Sequence, residues 1–450
     1  MTVKDNHEVE ISPDEAEKLQ QFANVSLREL EAKNPNLLVF PTAFGVVRDD
    51  LDQAPLYTMR GGDRFCAGNV VGFFGVLGVD VRIISRFDPS VDRQYFFQYM
   101  LQEVLGLHML DLPTSSGGES IWDFLIYLFP ATLKAAYRQG VFRTYRTIRY
   151  DDDRVKGVVD ISRFIRNDLP FSGKVSYTAR VRSQNNSINQ LIRHVIELIR
   201  RKQPSLLSVD EDMCAAVRAI VAATPDCSSQ VLSKVIAENL RPVRHPYLTW
   251  YTTLQKLCLK ILRRERISYG DDDKRLSGIV FDAAWLWEEY LASFLKPRGV
   301  IHPENKTKRN PEYLYAAKCG HSRAWKECFP DFVDSENRAI YDAKYKHVGS
   351  GDGIQREDRF QLASYLHIKE YGRGLLLYPQ AERGGLDWEG CLNGYGGWIG
   401  SAAFRVPKVE TDANDFRSYA KQMEISRDEF LASLSTDIPD QEEAGEEMPL

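Results

Sequence analysis

FPDFVDSENRAIYDAKYK, residues 329–346, is the stretch on which the reading of this chain turns. SENR, 335–338, is a polar four-residue turn between two short runs of alternating apolar residues, which predicts a β-hairpin. Strand side chains alternate between faces, so Ile340, Asp342 and Lys344 share one face, and Tyr341, Ala343 and Tyr345 share the other. With the turn at 335–338, Asp331 falls directly opposite Asp342. Two carboxylates facing each other across a hairpin repel, and a cation between them relieves the repulsion. Carboxylate oxygens suit Mg²⁺, with Mn²⁺ as a substitute. Such an ion polarises a phosphate and activates water. Lys344 then stands where it can orient that water or stabilise developing charge. The expectation is a phosphodiesterase site with Asp331 and Asp342 as metal ligands and Lys344 as the catalytic cation.

The bare pattern is common. Pro-Asp occurs at 13, 225, 330 and 439, and an acid two residues before a lysine recurs at Glu31-Lys33, Asp272-Lys274 and Glu304-Lys306. Asp14, Glu31 and Lys33 fall in a helical stretch, and Asp272 falls in a Gly/Asp loop. Only 330–344 sets all three groups on adjacent strands. The competing reading is a surface hairpin with ordinary ion pairs.

Two flanks favour the site. Upstream, GIVFDAAWLWEEYLASFLK (278–296) predicts an amphipathic helix whose apolar stripe runs through Phe281, Trp285, Leu291 and Leu295. Glu288 lies on that stripe. An inward carboxylate needs a partner, so Glu288 is a candidate third metal ligand, the alternative being a rim residue beside Glu289. Downstream, QREDRFQLASYLHIKEYG (355–372) predicts a second helix. Gln361 and Tyr365 stand four apart on one side of it, placed to touch phosphate or buttress Lys344.

At 450 residues the chain is long enough for two to four domains. No apolar run approaches the length of a membrane span, and the opening MTVKDNHEVEISPDEAEK is polar and acidic. The expectation is a cytoplasmic protein with reduced cysteines and no membrane partner. Net charge is −5, but residues 437–450 hold six acids and no base, leaving +1 for the remainder. Residues 141–202 hold 14 Lys/Arg against 6 Asp/Glu. Arg180, Arg182 and Arg193 in that segment are candidate DNA contacts; a solvated face or an acidic protein partner is the alternative.

Along the chain, 12–33 reads as helix, capped by Ser12 with Pro13 in its first turn. Residues 36–87 read as short strands and 91–140 as helix. RTIRYDD and VKGVVDISRFIR read as strands, 186–201 as helix, and 209–265 as helix broken at Pro225. SYGDDDKRLSG, 268–278, is the best domain boundary. The tail from 433 is too acidic and polar to pack and is expected to be disordered. No Gly-rich phosphate loop ending in Gly-Lys-Ser/Thr is present, so the chain is not itself a P-loop NTPase.

Pro330-Asp331, Asp342-Ala-Lys344 and QLASY (361–365) follow the order of motifs in the PD-(D/E)xK nuclease superfamily, including the Q-x-x-x-Y element of its RecB-like branch. LWEEYL (286–291), DAKYK (342–346), DRFQLASYL (358–366), VVGFFGVLGVDVRIISRF (70–87) and VKGVVDISRFIRNDLP (155–170) further resemble the McrC-type subunit of modification-dependent restriction systems. IISRF departs from the family, where an I-x-P-K-like strand end is common.

The resemblance implies a multidomain α+β and α/β protein whose C-terminal restriction-endonuclease-like domain has a mixed sheet flanked by helices. It implies a Mg²⁺-dependent endonuclease working with a separate AAA+ GTPase, which recognises DNA, often at methylated cytosine. The expected parts are a β-rich module at 1–140 that docks on that ring, a basic middle module with a helical connector at 141–275, the nuclease at 276–432, and a tail at 433–450. A stand-alone repair nuclease and a non-catalytic subunit of the motor complex remain as alternatives.

Overall fold

The computed structural model of the chain describes residues 1–34, 37–41, 53–88, 94–105, 118–167, 173–243, 245–267, 276–303, 311–315, 325–347, 354–381, 383–394, 396–408 and 416–436. The protein is a mixed α/β chain in two compact units. One joins Met1–Gly117 to Asp271–Leu450, and the other is Gly118–Gly270.

The first unit opens with β1 (Thr2–Lys4), β2 (Glu8–Glu10), α1 (Pro13–Gln20) and α2 (Leu27–Lys33). Ser12 and Glu15 cap α1 reciprocally. The expected single helix over 12–33 is two helices, because Asn24 turns left-handed (φ 59) and Ser26 caps a new start. The strands β3 (Leu37–Phe40), β4 (Tyr57–Arg60), β5 (Arg64–Ala67), β6 (Val70–Val76) and β7 (Val79–Ile84) follow, then α3 (Tyr95–Leu105). The predicted runs LLVF, LYTM, NVVGFFGVLG and VDVRIISRF thus supply β3, β4, β6 and β7. Apolar residues from these strands and from α1 and α2 form one buried core.

The second unit holds α4 (Gly118–Arg138), β8 (Thr144–Asp152), β9 (Val158–Val159), α5 (Ile161–Asn167), β10 (Val175–Ser183) and four further helices. These are α6 (Ser187–Lys202), α7 (Glu211–Ala223), α8 (Leu232–Glu238) and α9 (Trp250–Ile267). The strands pair antiparallel in the order β8-β10-β9. The strand expected across VKGVVDISRFIR is confined to Val158–Val159. Asp160 starts α5 instead, its side chain accepting from Arg163 N and its carbonyl from Phe164 N. The region 209–265 breaks twice, at 224–231 and 239–249, rather than once.

The chain returns to the first unit with β11 (Ser277–Asp282), α10 (Ala283–Leu295), β12 (Glu312–Tyr315), β13 (Trp325–Cys328), β14 (Phe332–Asp334) and β15 (Ala339–Ala343). It ends with α11 (Arg356–Lys369), β16 (Arg373–Ala381), β17 (Gly385–Cys391), β18 (Trp398–Val406) and α12 (Phe416–Leu434). β11 lies between β6 and β3 in a five-stranded sheet of order β1-β7-β6-β11-β3. The approach is close: a Cβ on Gly278 would meet Phe73 O at 2.4 Å, and one on Gly72 would meet Ile279 O at 2.2 Å.

The expected boundaries at 140/141 and 275/276 cut across this arrangement. α4 belongs with the middle unit, and the first strand after the loop completes the N-terminal sheet. The tail expected from 433 begins as helix, since Ser433 and Leu434 close the last one and Leu434 is buried. Residues 437–450 and the expected boundary at 268–275 lie outside the described residues, as do Asp272, Lys274, Glu304 and Lys306.

A second five-stranded sheet, order β14-β15-β16-β18-β17, carries the hairpin. β15, β16 and β18 run parallel, with β14 and β17 antiparallel at the edges. α11 packs its Leu362 and Leu366 on Ile340, Leu376 and Ile399. Phe404, of opposite parity to Ile399 along β18, meets Trp287 of α10 and Phe430 of α12 on the other face.

Candidate active site

The register of the hairpin pairs Phe332 with Tyr341, Val333 with Ile340 and Asp334 with Ala339. The next pair outward is Asp331 and Asp342, as the four-residue turn predicts. Asp342 is buried, at 1% exposure, and Asp331 is half-buried just before β14. Ala343 N donates to Asp331 Oδ2 at 2.9 Å, so the backbone of one strand orients the carboxylate of the other. The same carboxylate feels Asp342 and Glu288 beside it. Burial pushes the Asp331 carboxyl well above its usual range, and those two neighbours push it further. Asp342 is raised as well, by burial first and by Asp358 and Glu288 after it, against the pull of Lys344.

Lys344 Nζ stands 2.7 Å from Asp342 Oδ2 and donates to Gln361 Oε1 at 3.0 Å. Gln361 Nε2 donates to Tyr365 OH at 3.0 Å, and Tyr365 OH donates to Phe329 O at 3.1 Å. Gln361 and Tyr365 therefore form a relay from Lys344 back to the residue two before Asp331. Burial works against the Lys344 charge, but Asp342, Asp331 and Asp358 outweigh it and raise its pKa.

Glu288 is buried on α10, at 6% exposure. Its Oε1 is 3.7 Å from His302 Nε2. His302 Nδ1 donates to Asp331 O at 2.7 Å, and its ring stacks on Phe332. Three residues that the sequence did not single out thus join the cluster: His302, Asp358 and Lys346. Asp358, buried in the first turn of α11, lies 3.6 Å from Lys344 Nζ and also pairs with Lys346 Nζ. Lys346 donates to Gln355 Oε1 at 2.8 Å. Lys346 could have been found from alternation with Lys344, and Asp358 from its spacing of three to Gln361. The His302 contact, 29 residues from Asp331, has no local signal.

Among the described residues, no group of three or more His, Cys, Asp or Glu side chains is already drawn together as a metal site. The donor set nevertheless fits a hard cation. Asp342 Oδ2 is buried, and its close partner is the Lys344 ammonium at 2.7 Å. Fully ionised, Glu288, Asp331, Asp342 and Asp358 exceed Lys344 and Lys346 by two negative charges, the complement of one divalent ion.

The candidate DNA contacts lie in the other unit. Arg180 and Arg182 are exposed on one face of β10, and the Arg180 guanidinium sits 4.8 Å over the Tyr145 ring. Arg193 is on α6 instead, its Nε 2.7 Å from Glu197 Oε1.

No described helix is long and apolar enough to cross a membrane. No curated protein matches the sequence. Two solved structures are similar in part. One is a half-complex from a tetradecameric assembly of Thermococcus gammatolerans McrB AAA+ hexamers with bound McrC, at 17% identity and TM-score 0.46, covering 95% of this chain and 99% of that one. The other is the cryo-EM structure of the Thermococcus gammatolerans McrBC complex, at 16% identity and TM-score 0.32, covering 68% of this chain and 89% of that one. The family model for the McrBC 5-methylcytosine restriction system component matches residues 66–379, more than half of the sequence. The chain belongs to the family of McrBC 5-methylcytosine restriction system components.

Proposed function

We propose that this protein is the McrC-type nuclease subunit of its system, a PD-(D/E)xK endonuclease that hydrolyses DNA phosphodiesters in complex with a separate AAA+ GTPase. The observation that carries the reading is the opposition of Asp331 and Asp342 across the hairpin, with the Lys344 ammonium on the buried Asp342. Asp331, Asp342 and Glu288 are the residues to hold Mg²⁺, or Mn²⁺ in its place. When bound, the ion supplies Lewis-acid polarisation of the scissile phosphate and makes water a competent nucleophile at neutral pH.

The chain's own groups do the rest. Lys344 donates to the charge that develops on the phosphate. Gln361 accepts a hydrogen bond from Lys344 and fixes where the ammonium points, and Tyr365 fixes Gln361. His302 holds the Asp331 backbone and stands against Glu288. DNA recognition and translocation fall to the AAA+ partner, since this sequence has no phosphate loop of its own.

The test is Asp342→Ala in the full chain reconstituted with the AAA+ subunit of the same system. Mg²⁺-dependent cleavage is expected to vanish, with assembly and nucleotide hydrolysis by the partner retained. Cleavage equal to wild type would end the assignment.

A further inference from the structure

Regular pairing of β15 ends at Ala343, opposite Leu377. Lys344 is held on that side by one more backbone bond, its N–H donating to Leu377 O at 2.9 Å. The next residue points the other way and reaches the N-terminal sheet. Tyr345 is buried, at 6% exposure, and its hydroxyl lies 2.6 Å from Ser85 Oγ just past the end of β7. Its ring meets Phe87 edge to face at 5.0 Å and lies 5.1 Å under the Arg86 guanidinium. Arg86 is itself fixed: Nε donates to the buried Asp5 at 2.8 Å, and Nη2 donates to Asn69 Oδ1 at 2.5 Å. Phe87 N donates to Ser85 Oγ at 3.1 Å. The segment ISRF is therefore a rigid socket, and Tyr345 is the peg in it.

We propose that Tyr345 is a positioning residue for Lys344, and that Ser85 and Arg86 of the N-terminal sheet set the catalytic ammonium through it. This rests on the reading of Lys344 given above. Lys344 and Tyr345 are neighbours on opposite faces of one strand end, so a displacement of the peg moves the Lys344 Cα with it. Lys344 reaches Asp342 and Gln361 from a backbone pinned at two points, Leu377 O and the socket. Releasing one leaves the ammonium free to leave the geometry in which it meets a phosphate.

Ser85→Ala, Tyr345→Phe and the double variant test this in the full chain with its AAA+ partner, under Mg²⁺ and saturating DNA. Tyr345→Phe leaves the Ser85 hydroxyl with Phe87 N–H alone, Ser85→Ala leaves both Tyr345 OH and Phe87 N–H unpaired, and each lowers Tm; the double variant regains the part of Tm that the unpaired Tyr345 hydroxyl cost. Under the proposal, kcat falls by about tenfold to a hundredfold in all three, with KM for DNA unchanged. The double variant stays as slow as the singles although its Tm rises above that of Ser85→Ala. A purely structural role makes kcat follow Tm, so a double variant that regains wild-type kcat overturns the proposal. Wild-type kcat in Tyr345→Phe overturns it too. Asp342→Ala run in parallel separates the two readings: a dead Asp342→Ala beside normal strut variants removes only the strut, whereas an active Asp342→Ala removes the catalytic assignment itself.

Discussion

Asp358 shows how much of the candidate site is carried by residues next to its motif rather than in it. Its carboxylate touches both lysines of DAKYK, Lys344 through Oδ1 and Lys346 through Oδ2. With a cation held at Asp342, Asp358 and Gln361 would be the acceptors that keep the Lys344 ammonium beside the site. Asp358→Asn should therefore lower the cleavage rate by about tenfold to a hundredfold, the usual cost of losing a group that orients a metal-site residue. It should also raise the Mg²⁺ concentration needed for half-maximal binding to the chain in calorimetry. An unchanged rate and an unchanged Mg²⁺ isotherm would make Asp358 a buried ion-pair partner of the two lysines with no part in the reaction. The opposition of Asp331 and Asp342 was legible because a four-residue turn fixes register, and register fixes faces. The alternation that found Lys344 applies equally to Lys346. His302 was not legible, because its bond to Asp331 and its contact with Glu288 exist only after the sheet and α10 have packed.

At the scale of elements, β10 offers the clearest chemistry in the second unit. Arg180 pairs across the sheet with Thr147, Arg182 with Tyr145, and Thr178 with Arg149, so one exposed face presents three arginines and an aromatic ring. Guanidinium groups beside an exposed aromatic suit a phosphate backbone. Replacing Arg180, Arg182 and Arg193 together by Ala should weaken DNA binding and reduce the slope of log K against log salt by about two, near 0.9 for each phosphate that the two exposed arginines no longer neutralise. Arg193→Ala alone should change little, because Glu197 already neutralises it. A salt slope unchanged in the triple variant would reassign the face to a protein partner. Reading this region from sequence found β8 and α6, whose periodicities are long and regular. It mistook 161–167 for strand because ISRFIR is rich in β-branched residues, while the cap that makes it helical is the single side chain of Asp160.

Across the whole molecule, the boundary was the least legible feature. The polar stretch 268–278 contains the point where the chain passes from one unit to the other, but composition cannot reveal that Ser277–Asp282 pairs with residues about two hundred positions earlier. One consequence is that the N-terminal segment and the candidate nuclease sheet share one compact unit. Asp88 probes that stability. It is buried at 1% exposure, and its two oxygens accept from Phe96 N and Phe97 N at the start of α3. Burial nevertheless pushes its carboxyl from 3.8 up to about 8. A folded-state pKa above the unfolded one means that the folded chain keeps a proton the unfolded chain has lost. Stability from this group is therefore full below pH 3.8 and is lost as pH rises towards about 8, at no more than roughly 1.4 kcal/mol per pH unit. Asp88→Asn keeps an acceptor for the helix start and cannot ionise. The difference between its urea midpoint and that of wild type should shift steadily in favour of the variant between about pH 5 and pH 8. Midpoints that keep a constant separation across that window would show that Asp88 is ionised in the folded chain, with α3 holding its charge through the two backbone N–H groups.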